Sequence, residues 1–392
     1  ALTSGDQNVA VGFASGTAIN SGSNNTFVGN ASGVAQTSAS NNVLIGGDAG
    51  AALTTGGDNV FIGYTAGDGH DAETNNIGIG KAALGGSVAG GEYNVAIGNA
   101  SLDALTSADF NTALGYNAGS AITTGAKNTI LGAEAGEALV STPLNVIIGY
   151  AAAKAATTAA YNVIVGAEAV TTGVLTGNNN VILGYEAGKV MTSGANNTHL
   201  GYQAGSSVTT GIRNVFIGSN AGTTNTTGDE NISIGYTTTM GGSGENRSVT
   251  IGNEVQGNTD YTTIGYGSND IRTAHGNTGW ATVSDERYKK DIADSTAGLS
   301  FINDLKPRTF KYKNLGDLPN TFNAYKENST DVYKNSKTNH GFIAQEVKAV
   351  IDSHSEIKDG FRMWDDRPDG SQEISETPLL PILVKAVQEL SA

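Results

Sequence analysis

A repeat with a period of about 17 residues runs through residues 1–235 and constrains the fold of the chain more than any other feature. One asparagine marks each of fourteen copies, and an aliphatic residue and a glycine follow it three and four positions later in every copy. The marker residues are Asn8, Asn25, Asn42, Asn59, Asn76, Asn94, Asn111, Asn128, Asn145, Asn162, Asn180, Asn197, Asn214 and Asn231. A register kept over fourteen copies indicates a stack of identical structural units.

The residues around each marker predict the shape of one unit. The position after the asparagine is Val, Ile or Thr, so a stretch such as 59–62 predicts a short β-strand. The glycine should end this strand where the chain bends or approaches a neighbouring backbone. An Ala or Ser three residues later, in thirteen copies, favours a second, tightly packed strand, and the Thr/Ser/Gly/Asn-rich remainder is typical of turns. We therefore predict a mainly β fold: a β-roll or β-solenoid of fourteen coils with two short strands each, about 65 Å long at roughly 4.8 Å per coil.

The central residue of the predicted strand is apolar in eleven copies, and we expect it to face away from the coil's own core. These residues are Ala10, Phe27, Leu44, Phe61, Ala96, Ala113, Ile130, Ile147, Ile164, Ile182 and Phe216. An apolar stripe of this length on a protein surface marks a contact area. It predicts a homo-oligomer with the stripes packed together, and three subunits are favoured for a fibre.

Other repeated positions have structural explanations. We expect the asparagines to form stacked amides and tight turns rather than a metal site, because no Asp recurs in register. Phe or Tyr follows the repeat glycine in seven copies, which favours packing along the rod over a saccharide-stacking surface; these are Phe13, Tyr64, Tyr116, Tyr150, Tyr185, Tyr202 and Tyr236. The five histidines have no metal-ligand spacing. No metal and no cofactor are expected.

Charge divides the chain into three parts. Residues 1–235 carry 20 charged side chains, whereas residues 284–392 carry 33 in less than half the length. We predict a repeat shaft over 1–235, a small α+β domain over 284–392, and an irregular distal cap with a linker over 236–283. In this cap Ser248 takes the place of the marker asparagine, and the next Ile-Gly pair, at 264–265, follows Gly252 too early for the period.

Composition excludes several classes of protein. The net charge of −15 argues against binding to nucleic acid, and the lack of an apolar run long enough to cross a bilayer argues against membrane insertion. The lack of cysteine excludes disulfides, thiolate catalysis and Cys-ligated metals. Leu379, Ile382, Leu383, Ala386, Val387 and Leu390 lie at helical spacing near the end of the chain. They predict an amphipathic helix that begins a trimeric coiled coil.

The repeat resembles the head domain of trimeric autotransporter adhesins, which use an Asn-x-Val-Ala-Ile-Gly coil. The segment 93–98, Tyr-Asn-Val-Ala-Ile-Gly, comes very near that pattern, although the period is longer here. Similar Asn-Val-Phe-Ile-Gly repeats occur in phage tail-fibre shafts. The resemblance implies a trimeric β-roll.

Four motifs in the charged tail resemble the C-terminal intramolecular chaperone domain of phage tail spikes and fibres, the peptidase S74 family. They lie at 284–292, 305–312, 341–347 and 379–390, and the resemblance spans 284–392. It implies a trimeric domain that drives assembly of the preceding stalk and then cuts itself off between Val283 and Ser284. Ser284 would be the nucleophile and Lys289 its base.

The spacing of this pair sets a geometric condition. Residues five apart share no face of a helix or strand, so a turn must separate Ser284 from Lys289, or another subunit must supply the lysine. A lysine acts as a base only where burial lowers its pKa. Lys290 is a competitor for the role. Without the resemblance, a serine before charged residues is most often a helix N-cap.

The sequence therefore predicts a structural tail-fibre or tail-spike protein of a virion, which attaches to a host and carries a self-cleaving intramolecular chaperone. Its cleavage would be a single event on its own chain. Expected partners are two further copies, a host cell-surface receptor (a glycan or an outer-surface protein) and other virion tail proteins. One alternative is a trimeric adhesin on a bacterial cell surface with the same module. A less favoured alternative is a glycan depolymerase, which would need paired carboxylates.

Overall fold

A computed structural model describes residues 4–87, 90–277, 279–281, 284–358 and 360–392. The chain divides into two compact units, Ala1–Val283 and Ser284–Ala392. The strands of the first unit are β1 Val9–Val11, β2 Thr26–Val28, β3 Val43–Ile45, β4 Val60–Ile62, β5 Ile77–Ile79, β6 Val95–Ile97, β7 Thr112–Leu114, β8 Thr129–Leu131, β9 Val146–Ile148, β10 Val163–Val165, β11 Val181–Leu183, β12 Thr198–Leu200, β13 Val215–Ile217, β14 Ile232–Ile234, β15 Thr239–Met240, β16 Val249–Asn253, β17 Gln256–Gly257, β18 Tyr261–Tyr266 and β19 Asn269–Ala274. Those of the second are β20 Arg308–Phe310, β21 Asn339–Gly341, β22 Trp364–Asp366 and β23 Gln372–Ile374, with helices α1 Leu299–Asp304, α2 Ala344–Ser353 and α3 Leu379–Ser391.

The first unit is a β-solenoid of about fifteen coils that keep the period of the sequence repeat, which confirms the predicted fold class. Strands β1 to β14 pair in chain order, all parallel, and equivalent residues of successive repeats lie side by side, as Val43 does with Val60. The ladder continues through β16 and β18. Strand β19 then pairs antiparallel with β18, so a hairpin ends the parallel stack.

The predicted second strand is wrong for most coils, because within the described residues it forms only in the last coils, where β15 pairs with β17. The small residue three places after the repeat glycine is buried, but it lies in a run of turns. The reason is the backbone on either side of it: Ala31 has φ 53° and Gly33 has φ 59°, and the same positions are left-handed in most other coils. A β-strand requires negative φ at successive residues, so no extended segment can form there.

The predicted orientation of the strand's central residue is also wrong. Phe27, Leu44 and Phe61 are fully buried inside their own coils, whereas the two residues that flank each of them are half-exposed. Only one face of a three-residue strand can point inward. So short a coil encloses a narrow interior, which has room for few large inward side chains.

The interior is filled by compensation between two positions six residues apart. Where the strand centre is aromatic, as at Phe61, the partner position is Gly67, and a Cβ there would lie 2.4 Å from the ring. Where the centre is Gly78, the partner is the buried Leu84. The two positions share one volume, which keeps the core close-packed.

The asparagines form the stacked amides that the sequence predicts. The Asn128 main-chain N–H and side-chain Nδ2 donate to Asn111 Oδ1, at 2.9 Å and 3.1 Å. Nδ2 also donates to the carbonyl of Thr142 at 2.9 Å, and Asn128 Oδ1 accepts the N–H of Asn145. These amides are buried, so the ladder supplies the hydrogen-bond partners that water cannot reach to provide.

The repeat glycines lie where the chain approaches a neighbouring backbone, as the sequence predicts. Gly29 has φ 138°, and a Cβ at this position would lie 2.3 Å from the carbonyl oxygen of Gly46 in the next coil. Only glycine allows this backbone conformation and this approach. The repeat glycines therefore allow the backbones of successive coils to lie this close together.

The second unit packs its three helices around one apolar core. Buried residues of the core are Ala297, Phe301, Leu305, Val347, Ile351, Met363, Leu379 and Ile382. Helices α1 and α3 contact each other, and α2 contacts the β22–β23 hairpin. Strands β20 and β21 also pair antiparallel, although residues 311–338 separate them along the chain. Within the described residues, no helix is long and apolar enough to span a membrane.

Candidate functional site

Ser284 is the first residue of the second unit and lies at the surface. The structure brings it to the predicted base: Lys289 Nζ donates a hydrogen bond to Ser284 Oγ at 2.7 Å. Val283, the other residue of the predicted cleavage site, lies outside the described residues. The contact establishes proximity, and the catalytic role of the two residues stays a prediction.

A single turn of 3-10 helix, Glu286–Tyr288, separates the two side chains. Its i+3 hydrogen bonds run from the Tyr288 N–H to the carbonyl of Asp285 and from the Lys289 N–H to the carbonyl of Glu286, at 3.1 Å and 2.9 Å. Residues on both sides of the turn are extended. The turn lets the Lys289 side chain reach back to Ser284, which satisfies the geometric condition set by their spacing.

An ion pair holds this turn. Asp285 is its N-cap, and Oδ1 accepts the main-chain N–H of Arg287 at 2.9 Å. The Arg287 guanidinium returns to the same carboxylate through Nε at 2.9 Å and through a terminal nitrogen at 2.6 Å. These bonds hold the pKa of Asp285 below its usual range. Sequence reasoning missed this pair, although opposite charges two residues apart within the motif were its signal.

The base itself is exposed in the isolated chain. Lys289 and Lys290 both face solvent. The burial that would lower the pKa of a catalytic lysine is therefore not supplied by the residues of one chain that the structure describes. The amine that contacts Ser284 is that of Lys289.

The remaining motifs of the tail meet in the body of the second unit. Arg308 of β20 forms two hydrogen bonds with Glu346 of α2, at 2.8 Å and 2.9 Å. The main-chain N–H of Leu299 at the start of α1 donates to Glu389 of α3 at 2.7 Å. His354 lies between Asp304 and Glu356, and hydrogen bonds to Glu356 and Asp304 raise its pKa. Sequence reasoning did not identify this cluster.

Helix α3 forms where the sequence predicts it, but only part of its apolar surface is buried. Leu379, Ile382 and Ala386 face the core of the unit. A second stripe on the same helix remains exposed, and its members are Leu380, Leu383, Val384, Val387 and Leu390. The spacing of this stripe, three and four residues, is that of a helix–helix contact.

The solenoid has its own unpartnered apolar face. The strand residues that flank the central position point outward, and the most exposed of them are Val9, Val11, Leu114, Leu131, Val181 and Leu200. The aromatic residues after the repeat glycines border this face, and all seven are exposed, from 43% to 81%. Tyr185 and Tyr202 stack between neighbouring coils, with ring centroids 5.7 Å apart. The surface stripe that the sequence predicts exists, but it is built from the flanking residues.

Comparison with known proteins finds a family match for one part of the chain. Residues 284–355 match the family described as Peptidase_S74, chaperone of endosialidase. The match begins at Ser284 and includes three of the four motifs on which the sequence resemblance was based. No curated protein and no solved structure matches the chain. A chaperone-of-endosialidase region thus follows a β-solenoid, as in a protein of the tail-fibre, tail-spike or adhesin kind.

Proposed function

We propose that this chain is the subunit of a homotrimeric phage tail fibre or tail spike, which attaches the virion to its host. The second unit drives assembly of the solenoid and then leaves by self-cleavage between Val283 and Ser284. The observation that carries the proposal is the family match that begins at Ser284, directly after the solenoid. The 2.7 Å contact between Lys289 and Ser284 supports the cleavage step.

The cleavage can be written as a balanced reaction. Neutral Lys289 takes the proton of Ser284 Oγ, and the oxygen attacks the carbonyl carbon of residue 283. The peptide C–N bond breaks, the amine of Ser284 takes up a proton, and an ester to Oγ remains. Water hydrolyses this ester to give a carboxylate on residue 283 and a free hydroxyl on Ser284.

Assembly would switch this reaction on. A general base must be neutral to take a proton, and burial favours the neutral form of a lysine side chain, so Lys289 would act once it loses contact with water. Packing of further subunits around the turn would bury it. A chain that has not assembled would therefore keep its chaperone.

Two apolar surfaces support the homotrimer. The outward strand residues form a face along the solenoid, and the exposed stripe of α3 provides a second contact in the chaperone unit. Subunits that join first through the chaperone raise the effective concentration of the solenoid chains. The parallel pairing within each solenoid is slow to form and exposes apolar surface until partners arrive, which explains the need for a chaperone.

The test of cleavage is intact mass and denaturing-gel analysis of the full chain beside Ser284→Ala, with Lys290→Ala as the matched control. We expect fragments that end at Val283 and begin at Ser284 in the unaltered chain and in the control. Only the Ser284→Ala chain should stay whole. An unaltered chain that assembles and stays whole would reject self-cleavage.

The test of assembly uses one charge on α3. In the uncut Ser284→Ala background, Val387→Asp should reduce the trimer to smaller species in light scattering, whereas Gln388→Asp adds the same charge beside the stripe and should not. A monomeric background chain would reject the homotrimer. Equal masses for both variants would show that the stripe is not a subunit contact.

A bacterial surface adhesin is the second candidate, because the repeat also resembles adhesin heads. Labelled, cleaved rods should bind to bacterial cells if the protein is a tail fibre, and to surfaces other than bacteria if it is an adhesin. Release of reducing sugar ends from the bound cells would instead favour the depolymerase. Binding to a bacterial strain without sugar release is the outcome that the proposal expects.

A further inference from the structure

We propose that the Ser284–Lys289 pair is completed within a single chain, and that Asp285 and Arg287 are positioning residues that hold it together. The inference rests on the proposed self-cleavage and deepens it. The sequence left two ways to bring the pair together, a local turn or a lysine from another subunit. The structure contains the first.

The short turn between the two side chains depends on local bonds. It has three helical residues, and none of them is buried. So short a 3-10 segment is not stable without caps or tertiary contacts. The bonds from Arg287 to the Asp285 carboxylate supply the cap and tie the guanidinium across the same turn. Removing them frees the chain at the point where it must reverse.

The ion pair has a second effect, on the electrostatics of the base. A free carboxylate near a lysine stabilises the ammonium form, which would keep Lys289 from acting as a base. Both oxygens of Asp285 are engaged by Arg287. The negative charge is therefore neutralised beside the dyad. Asp285 and Arg287 would therefore act through Lys289 and Ser284, which makes them positioning residues.

The first experiment asks whether one chain completes the pair. Full-length Ser284→Ala and Lys289→Ala chains, each with its own tag, are unfolded, mixed and refolded together, and mixed trimers are isolated through both tags. In the within-chain arrangement neither chain is cut. Cleavage of the Lys289→Ala chain would overturn the inference, because its Ser284 would then have used a lysine from the other chain.

Two controls keep this result separate from the proposed function. Unaltered chains mixed with Ser284→Ala chains should be cut in the same trimers, which shows that mixed assembly permits cleavage. If unaltered chains alone are never cut, self-cleavage itself is rejected. If they are cut and the Lys289→Ala chains are cut as well, only the within-chain assignment fails.

The second experiment measures cleavage rate against pH after refolding, with trimer content checked by light scattering. Asp285→Ala should cut about fivefold more slowly, the order of effect of losing an N-cap, and Asp285→Asn should recover most of the rate because its amide oxygen still accepts the Arg287 N–H. Arg287→Ala leaves the carboxylate unpaired, so the midpoint of its pH profile should move to higher pH. Arg287→Lys should reverse this shift.

A matched control lies in the same turn. Glu286→Ala removes a carboxylate that takes no part in the ion pair, and its rate and pH midpoint should equal those of the unaltered chain. The positioning role is overturned if Asp285→Ala cuts at the normal rate. It is also overturned if Arg287→Ala leaves the pH midpoint in place, since a purely structural ion pair would give that result.

Discussion

His199 makes the stability of the solenoid depend on pH. Its ring occupies the central position of β12, stacks on Phe216 at 5.1 Å and is completely buried. Neither ring nitrogen has a hydrogen-bond partner within the described residues. Burial lowers the pKa of His199 to about 3. The unfolded chain therefore binds a proton at a pH where the folded chain does not.

The magnitude follows from proton linkage. Below the unfolded pKa of about 6.5, each pH unit removes about 1.4 kcal/mol of stability until the folded-state pKa is reached. Between pH 8 and pH 4.5 the loss from His199 is about 3 kcal/mol per chain, because only the two units below pH 6.5 contribute. The value stays the same for any folded pKa well below 4.5. His70 adds a loss of the same sign, since burial lowers its pKa to about 4 while the nearby charge of Glu73 opposes the shift.

The perturbation is the substitution His199→Phe. A phenyl ring fits this position because the residue six places later is glycine, as it is for Phe216 in the next coil. Gly205 lies against the His199 ring as Gly222 lies against Phe216. Guanidinium unfolding of the uncut chain, followed by circular dichroism at pH 8 and pH 4.5, gives the stability change for each variant. The loss on acidification should be smaller by about 3 kcal/mol per chain in His199→Phe. Where unfolding is irreversible, the ratio of unfolding rates replaces the equilibrium value.

The exposed His275 provides the control, because His275→Phe should leave the pH dependence of the solenoid unchanged. If His199→Phe loses as much stability on acidification as the unaltered chain, the ring is not buried as a neutral group. The reasoning would then be refuted.

The remaining predictions concern the backbone, the amide ladder and the second unit. Gly149→Ala should destabilise the solenoid by about 3 kcal/mol or more, because φ is 135° and the new Cβ would lie 2.5 Å from a carbonyl oxygen. Gly279 is the control, because a Cβ there would have no heavy atom within 4 Å. Gly279→Ala should change stability by less than about 0.5 kcal/mol in the same unfolding assay. Asn128→Ala should cost about 3 kcal/mol, because it strips buried donors and acceptors in both neighbouring coils of their partners, and hydrogen exchange should rise in those coils first. The pKa of His354 is raised, so its stabilising effect is complete below about pH 6.5 and is lost as the pH rises through the pKa of the folded state. Thermal unfolding of the uncut chain at several pH values should show this loss of stability. His354→Gln should abolish it.

The repeat made the solenoid predictable, since β-strand, glycine and asparagine positions could all be read from their period. The orientation of the strands could not be predicted in the same way, because both faces of most strands are apolar. The complementary sizes at Phe61 with Gly67, and at Gly78 with Leu84, identify the inward face. That signal lies in pairs of positions six apart, and single positions do not contain it.

The candidate site was only partly predictable. The resemblance supplied Ser284 and Lys289, and their spacing required a turn. The cap that forms this turn depends on a hydrogen bond from the Arg287 main chain, which a charge pattern alone does not specify. The exposure of Lys289 could not be derived from the sequence, because it depends on which surfaces pack against the turn.

Because of the asparagine ladder, the length of the solenoid can change only by whole coils. Each internal coil presents the same amide to the coil before it and the same acceptor to the coil after it, so duplication or loss of one coil leaves the amide ladder continuous. Recombination between repeats could therefore lengthen or shorten the reach of the protein in steps of about 4.8 Å. The series stops where Ser248 donates its N–H to Asn231 but has no amide to offer the next coil.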